Sequence, residues 1–223
     1  YWCDNCKVPI VNFTNRIDKD ICPTCHRSTT YLCADLRPVF PEERLLVEIV
    51  QGKPLAYINQ SVWASKNRYY IDGKPISINS NFYRRLSADI IQDSLENYKA
   101  QNNYAFFNVN IAQFIEANKA RLNYIVDEAY SFVQYAAKGY PHESIVISFS
   151  GGKDSTVTAD LTSRALSDAS LVHIFGNTTL EFPLTLEYAQ RFRSRNPRAI
   201  FKTAINKDQD FYKVCDDIGP PAR

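Results

Sequence analysis

A glycine-rich turn between a predicted strand and a predicted helix constrains this chain more than any other feature. Residues 145–149 (Ile-Val-Ile-Ser-Phe) form an apolar run of the kind found in a strand buried within a parallel sheet. The sequence Ser-Gly-Gly-Lys-Asp-Ser follows directly at 150–155. Apolar residues then recur at helical spacing up to residue 166, which predicts a helix that begins near Asp154.

This order of strand, turn and helix predicts an anion site. Gly151 and Gly152 can adopt backbone angles closed to other residues, so main-chain N–H groups can approach phosphate oxygens. The helix N-terminus adds positive potential, and Lys153 adds a full charge. The predicted phosphate-binding residues are Ser148, Ser150, Gly151, Gly152, Lys153, Asp154 and Ser155.

Two common phosphate-binding loops do not fit this turn. A Walker A loop requires glycine where Ile147 stands and a hydroxyl residue where Asp154 stands. The turn also lacks the Gly-x-Gly-x-x-Gly pattern of a dinucleotide-binding Rossmann fold. The candidate site therefore belongs to another class.

The turn resembles the PP-loop of ATP pyrophosphatases and their sulfonucleotide-handling relatives. A second segment, Gly-Asn-Thr-Thr-Leu-Glu-Phe-Pro-Leu-Thr at 176–185, follows a predicted strand and resembles the corresponding segment of the phosphoadenosine phosphosulfate (PAPS) reductase family. The resemblance implies that Thr178, Glu181 and Phe182 lie at the rim of the nucleotide or substrate site. Many relatives have Asp where Asn177 stands. Reductases of the family tend to replace the Gly-Gly-Lys-Asp core with serines, so the presence of that core here favours ATP as the nucleotide.

The resemblance also implies an α/β fold of the PP-loop or HUP-like kind, with a parallel sheet of about five strands and helices on both faces. Three such strands are predicted at 145–149, 171–175 and 199–203, after a helix at 121–138. The chain contains no Met and stops just after a Gly-Pro-Pro segment that precedes a Cys-containing stretch in relatives. We therefore expect the PP-loop domain to be incomplete at its C-terminus.

Four of the six cysteines form two Cys-x2-Cys pairs, which is the spacing of a zinc ribbon. The predicted ligands of a structural Zn2+ ion are Cys3, Cys6, Cys22 and Cys25. Four thiolates complete the tetrahedron that zinc prefers and leave no open position for a substrate. An iron-sulfur cluster is the main alternative. Disulfides are disfavoured because no signal peptide precedes the pairs.

The middle of the chain is predicted to contain a small β-rich module. Short strands are predicted at 44–50, 55–58 and 61–64, and a hairpin at 68–71 and 74–78 surrounds Asp72-Gly73. Its aromatic and basic side chains Trp63, Lys66, Arg68, Tyr69 and Tyr70 could stack bases and contact phosphates. An ordinary half-buried sheet explains the same composition and is the favoured interpretation.

Four regions follow from these patterns. They are a zinc ribbon at 1–35, a β-rich module at 36–80, a helical connector at 81–120 with helices at 87–99 and 111–118, and a PP-loop nucleotide-binding domain at 121–223. A predicted helix at 208–217 carries Cys215, which we expect to pack rather than react.

The composition gives no general attraction to polyanions or membranes. The 223 residues carry a formal net charge of +2, and no run of 18 apolar residues is present. A cytoplasmic protein without membrane contact is expected. Any nucleic-acid or protein partner would have to bind locally, through the zinc ribbon and the β-rich module.

The leading functional hypothesis is attack by a substrate oxygen on the α-phosphorus of ATP, which adenylylates a substrate in sulfur metabolism or sulfur transfer and releases pyrophosphate. Lys153 would stabilise the departing pyrophosphate, and Asp154 would help to hold Mg2+ with the ATP. One alternative is a PAPS or APS reductase that binds a sulfonucleotide in the same turn. Another is a zinc-ribbon nucleic-acid-binding or adaptor protein whose turn only senses nucleotide.

Overall fold

A computed structural model describes residues 1–11, 20–78 and 86–219. The chain divides into two compact units, Tyr1–Asn123 and Tyr124–Arg223. Three parts of the sequence predictions lie outside the described residues: the segment 12–19 between the cysteine pairs, the junction of module and connector at 79–85, and the final residues 220–223. No helix in the described ranges combines the length and the apolar character needed to cross a membrane.

The first unit begins with the cysteine-rich segment. Strands β1 (Trp2–Cys3) and β2 (Val8–Pro9) pair antiparallel. The backbone groups of Trp2 and Thr30 exchange two hydrogen bonds, Trp2 N–H to Thr30 O at 2.7 Å and Thr30 N–H to Trp2 O at 3.0 Å. These bonds close the segment on itself and bring its two cysteine pairs together.

A four-stranded antiparallel sheet follows, in the order β3-β4-β5-β6. Its strands are β3 (Arg37–Pro38), β4 (Val62–Ser65), β5 (Arg68–Ile71) and β6 (Lys74–Ile76). The predicted hairpin is present, and Asp72 and Gly73 both have the positive φ that its tight turn requires. A Cβ atom at position 73 would lie 2.4 Å from the Trp2 ring, so only glycine fits there.

Two of the aromatic residues of this sheet, Trp63 and Tyr70, are buried and not exposed for base stacking. The Trp63 side chain is 1% exposed; its Nε1 donates to Ser61 Oγ, and its ring lies 4.8 Å from that of Phe114. Tyr70 is also buried. The favoured interpretation as an ordinary half-buried sheet therefore agrees with the structure.

One predicted strand is wrong, because residues 44–50 belong to helix α1 (Pro41–Val50). Val and Ile in this segment favour strands, but Pro41 at the first helical position and acidic residues in the first turn favour a helix N-terminus. Arg44 and Glu48 are four residues apart and in contact, with Arg44 Nε 3.3 Å from Glu48 Oε1, which a helix allows and an extended strand does not. The predicted strand at 55–58 is a turn. Three further helices follow: α2 (Ala88–Lys99), α3 (Tyr104–Ala117), which begins earlier than predicted, and α4 (Lys119–Ala137).

Glu48 fixes the turn that follows α1. Its buried carboxylate accepts hydrogen bonds from the backbone N–H groups of Leu55 at 3.0 Å and Tyr57 at 2.8 Å. Arg44 Nε lies 3.3 Å from Glu48 Oε1. Burial raises the pKa of the Glu48 carboxyl group, and the Tyr57 N–H bond and the Arg44 charge act in the opposite direction.

We expect Glu48→Ala to lower the free energy of unfolding of the first unit by about 3–5 kcal/mol, because it leaves the buried Arg44 guanidinium without its counter-charge and two backbone N–H groups without their acceptor. Urea unfolding measures this loss. Glu116→Ala is the matched control, since its exposed pair with Lys119 should contribute less than about 1 kcal/mol. Equal losses for the two variants would contradict the role assigned to Glu48.

The second unit is a three-stranded parallel sheet in the order β7-β8-β9, with flanking helices, as predicted. Its elements alternate as β7 (Val146–Phe149), α5 (Lys153–Ala165), β8 (Val172–Asn177), α6 (Pro183–Arg195), β9 (Ile200–Ile205) and α7 (Phe211–Ile218). The buried core contains Ile147, Phe149, Ala159, Leu171, Phe175 and Ala189. Because the strands are parallel, the turns after β7 and β8 lie side by side at the carboxyl edge of the sheet.

Candidate functional site

The predicted phosphate turn connects β7 to α5. Gly151 has a φ of +77°, a conformation that L side chains rarely adopt. A Cβ atom at this position would lie 3.2 Å from Thr185 Cγ2 and 3.8 Å from Tyr188 Cδ1. Gly151 therefore meets two requirements at once, a left-handed backbone and a close approach to the first turns of α6.

Serine and threonine hydroxyls hold the turn in shape. Ser155 Oγ accepts from the Ser150 backbone N–H and from Ser150 Oγ, both at 3.2 Å, and donates to the Gly152 carbonyl at 3.0 Å. Thr156 Oγ1 donates to the same carbonyl at 2.9 Å and lies 3.1 Å from the Tyr188 hydroxyl. These bonds link the turn to both helices that flank it.

The start of α5 offers free hydrogen-bond donors. Gly152 is its N-cap and provides no side-chain cap. In the described part of the chain, the backbone N–H groups of Lys153, Asp154 and Ser155 have no hydrogen-bond acceptor. The turn thus presents consecutive amides at a positive helix end, which is the arrangement that binds phosphate oxygens.

Lys153 and Asp154 form an ion pair at the entrance of the turn. Lys153 Nζ lies 2.6 Å from Asp154 Oδ1, and both side chains are almost fully exposed. An exposed pair of this kind is weak and screened by salt. Both groups are therefore available to other charges, the ammonium group to a phosphate and the carboxylate to a cation.

The second predicted segment lies beside this turn, at the end of β8. Thr178 Oγ1 donates to Glu181 Oε1 at 3.0 Å, and Phe182, the N-cap of α6, is 78% exposed. Thr179 has a φ of +68°, which is unusual for a β-branched residue, and its Oγ1 accepts from the Phe211 backbone N–H at 2.8 Å. A strained residue at this edge is typical of a ligand-binding loop.

The predicted nucleotide residues fall into two neighbouring groups and one outlier. The turn residues 150–155 form one group, and Thr178, Glu181 and Phe182 form the other. Ser148 lies within β7, paired with Ile174 of β8, rather than in the turn. Sequence reasoning missed Thr185 and Tyr188, whose contacts with the turn become visible only when α6 is placed against it.

The four predicted metal ligands form one cluster in the first unit. The sulfur atoms of Cys3, Cys6, Cys22 and Cys25 all lie within 4.8 Å of one another. Cys3 and Cys25 Sγ are 3.5 Å apart, and Cys6 and Cys22 Sγ are 3.8 Å apart. A zinc–sulfur bond of about 2.3 Å gives an edge of about 3.8 Å in a tetrahedron, so the cluster can hold a metal ion and is consistent with zinc.

The environment of these thiols differs along the cluster. The Arg27 backbone N–H lowers the pKa of Cys25 to about 7, whereas burial raises the pKa of both Cys3 and Cys6. Of these three thiols, Cys25 therefore ionises most readily. Metal binding would displace the protons of the buried thiols, because only thiolates ligate.

Part of the second unit matches a known family of protein domains. Residues 144–213 match the family model described as phosphoadenosine phosphosulfate reductase domain, which confirms the predicted resemblance for the segment that contains both groups of site residues. An uncharacterized protein of Methanocaldococcus jannaschii is 25% identical over 115 residues, which are 51% of this chain and 27% of that protein. The alignment thus spans about a quarter of the relative's length.

Among solved structures, the NH3-dependent NAD synthetase from Campylobacter jejuni, in complex with the nitrate ion, is similar to part of the chain. The similarity has a TM-score of 0.34 and 23% sequence identity, and it covers 43% of this chain and 38% of that one.

Proposed function

We propose that this chain belongs to an enzyme that binds ATP in the 150–155 turn and cleaves it between the α and β phosphates to adenylylate a substrate. The observation that carries the proposal is the turn itself. Three consecutive amides without acceptors, a left-handed glycine and an exposed ammonium group meet at the start of α5. The match of this segment to the PAPS reductase domain supports an enzyme that uses an adenine nucleotide.

The chemistry follows from where these groups lie. A substrate oxygen forms a bond to the α-phosphorus, the bond from that phosphorus to the bridging oxygen breaks, and pyrophosphate leaves with the electron pair. The amides of the turn and Lys153 stabilise the negative charge that develops on the pyrophosphate. Mg2+ bound with the ATP would offset further phosphate charge, and Asp154 is the carboxylate placed to help hold it.

The remaining predicted residues form the rim of this site in the proposal. The exposed Phe182 ring offers a face on which an adenine can stack. The hydrogen bond from Thr178 to Glu181 orients a carboxylate toward the ribose or the acceptor substrate. Ser150 and Ser155 orient phosphates rather than act as nucleophiles, because their hydroxyls are engaged with each other and with the Gly152 carbonyl.

The second candidate is a sulfonucleotide reductase, and the description of the matched family favours it. PAPS would then occupy the same turn, and its sulfur would pass to a thiol. Within the described residues of the second unit, Cys215 is the cysteine that could accept it, but it lies half-buried in α7.

We assign zinc to the cysteine cluster and a structural role to the zinc. Four thiolate ligands leave no open coordination position, and all four lie among apolar residues of the first unit. Free thiols suit a reducing compartment, so the proposal includes a cytoplasmic location. Docking of a protein or nucleic acid by the cysteine-rich segment remains part of the proposal.

Calorimetric titration with ATP and Mg2+, with an ATP analogue blocked between the α and β phosphates, and with PAPS tests the nucleotide site. We expect ATP and its analogue to bind and Lys153→Ala to weaken both at least about tenfold, because a charge-assisted contact to phosphate is lost. Lys138→Ala, an exposed lysine outside the turn, is the matched control. Preference for PAPS would select the reductase, and binding of none would refute the nucleotide site.

A further inference from the structure

A cavity of about 330 Å³ lies between α5 and α6 in the second unit. Three alanines, Ala159, Ala169 and Ala199, line it and leave the space open. None of the residues 150–155 lines it, although Thr156 and Tyr188 do, so the cavity adjoins the phosphate turn without including it. Its volume is in the range of small-molecule sites, which begin at about 300 Å³.

A buried histidine lines this cavity. His173 of β8 is 2% exposed, and its Nδ1 lies 2.9 Å from the Leu171 carbonyl oxygen. A carbonyl can only accept, so Nδ1 carries a proton, and in the neutral imidazole Nε2 can accept a hydrogen bond. A donor on a ligand in the cavity could therefore pair with Nε2.

Two arginines one helical turn apart line the same cavity. Arg191 pairs with Glu187 at 3.2 Å and lies over the Tyr188 ring, whereas Arg195 has no ion pair within the described residues. Residues 188–207 contain no Asp or Glu, and the one carboxylate of the described residues that lines the cavity, Asp160, pairs with Arg164 at 2.5 Å. The basic residues of that stretch are Arg191, Arg193, Arg195, Arg198, Lys202 and Lys207.

We propose that this cavity binds a small phosphate monoester with a planar ring, of which a nucleoside monophosphate is the simplest example. The phosphate lies between the guanidinium groups of Arg191 and Arg195, which match its geometry. The ring occupies the space left by the three alanines, and one of its N–H or O–H groups donates to His173 Nε2. A concave site with one buried acceptor favours such a molecule over an extended polyanion.

The test follows the imidazole resonances of His173 by NMR during titration with AMP and with inorganic phosphate. We expect AMP to shift these resonances in both the wild-type and the Lys153→Ala protein, since the proposal does not involve the turn. Arg195→Gln should weaken the effect at least about tenfold, and Arg193→Gln, outside the cavity lining, should leave it unchanged. Ala199→Phe, which fills the cavity and keeps both arginines, should abolish it.

Several outcomes would overturn the proposal. If AMP shifts only the amides of 150–155 and leaves His173 unaffected, the cavity does not bind the nucleotide. Equal losses for Arg193→Gln and Arg195→Gln would indicate nonspecific charge. Binding of a short single-stranded RNA with steep salt dependence, without an effect of AMP on His173, would assign the arginines to a nucleic-acid surface instead.

Discussion

Replacing Gly151 with alanine should weaken ATP binding at least about tenfold while the second unit remains folded. The native φ of +77° costs an L-residue about 1–2 kcal/mol. The added Cβ would also lie 3.2 Å from Thr185 Cγ2, so the turn or the start of α6 must shift. Either shift moves the amides of residues 153–155 away from the positions in which we propose that they bind phosphate.

The Gly139→Ala variant separates the free-energy cost of a positive φ in alanine from the loss of ATP binding. Gly139 has a φ of +86°, and nothing lies within 4 Å of the Cβ that alanine would add. It should therefore lower the free energy of unfolding of the second unit by a similar amount, about 1–2 kcal/mol, and leave ATP affinity unchanged. Calorimetry with ATP and chemical unfolding of both variants measure the two effects. Unchanged affinity in Gly151→Ala would show that the turn does not bind the phosphates.

The sequence predicted the second unit well because its signals are local. An apolar run, a turn with adjacent glycines and a helical repeat follow one another without a gap, and each occurs where predicted. The cysteine cluster was equally predictable, because two Cys-x2-Cys turns have few ways to bring four thiols together.

The errors arose where tertiary contacts decide the local structure. The segment 44–50 is rich in Val and Ile, yet it is a helix in which Arg44 and Glu48 contact each other one turn apart. The contacts of Thr185 and Tyr188 with the turn, and the cavity beside His173, depend on where α6 packs against α5. No short-range pattern in the sequence records that placement.

Removal of the metal from the cysteine cluster should unfold the cysteine-rich segment. The apparent binding free energy of a structural zinc site is about 10–16 kcal/mol, and this segment has little apolar area of its own. Cys3 and Cys22 are also part of the buried cluster that includes Ala117 of α3. We therefore expect a chelator, or Cys22→Ser, to abolish the protection of the Trp2 and Thr30 amides in hydrogen exchange.

The same loss should spread to the contacts that attach this segment to α3. Asn118 Nδ2 donates to the Pro9 carbonyl at 2.9 Å, and Asn110 Nδ2 donates to the Lys7 carbonyl at 2.9 Å. When the segment unfolds, Asn110 Nδ2 loses this acceptor, and Asn118 Nδ2 keeps only the Phe114 carbonyl. Cys33→Ser is the matched control, because Cys33 lies outside the cluster and bonds only the Asp35 carbonyl. Equal protection in Cys22→Ser and Cys33→Ser would show that metal ligation does not stabilise this fold.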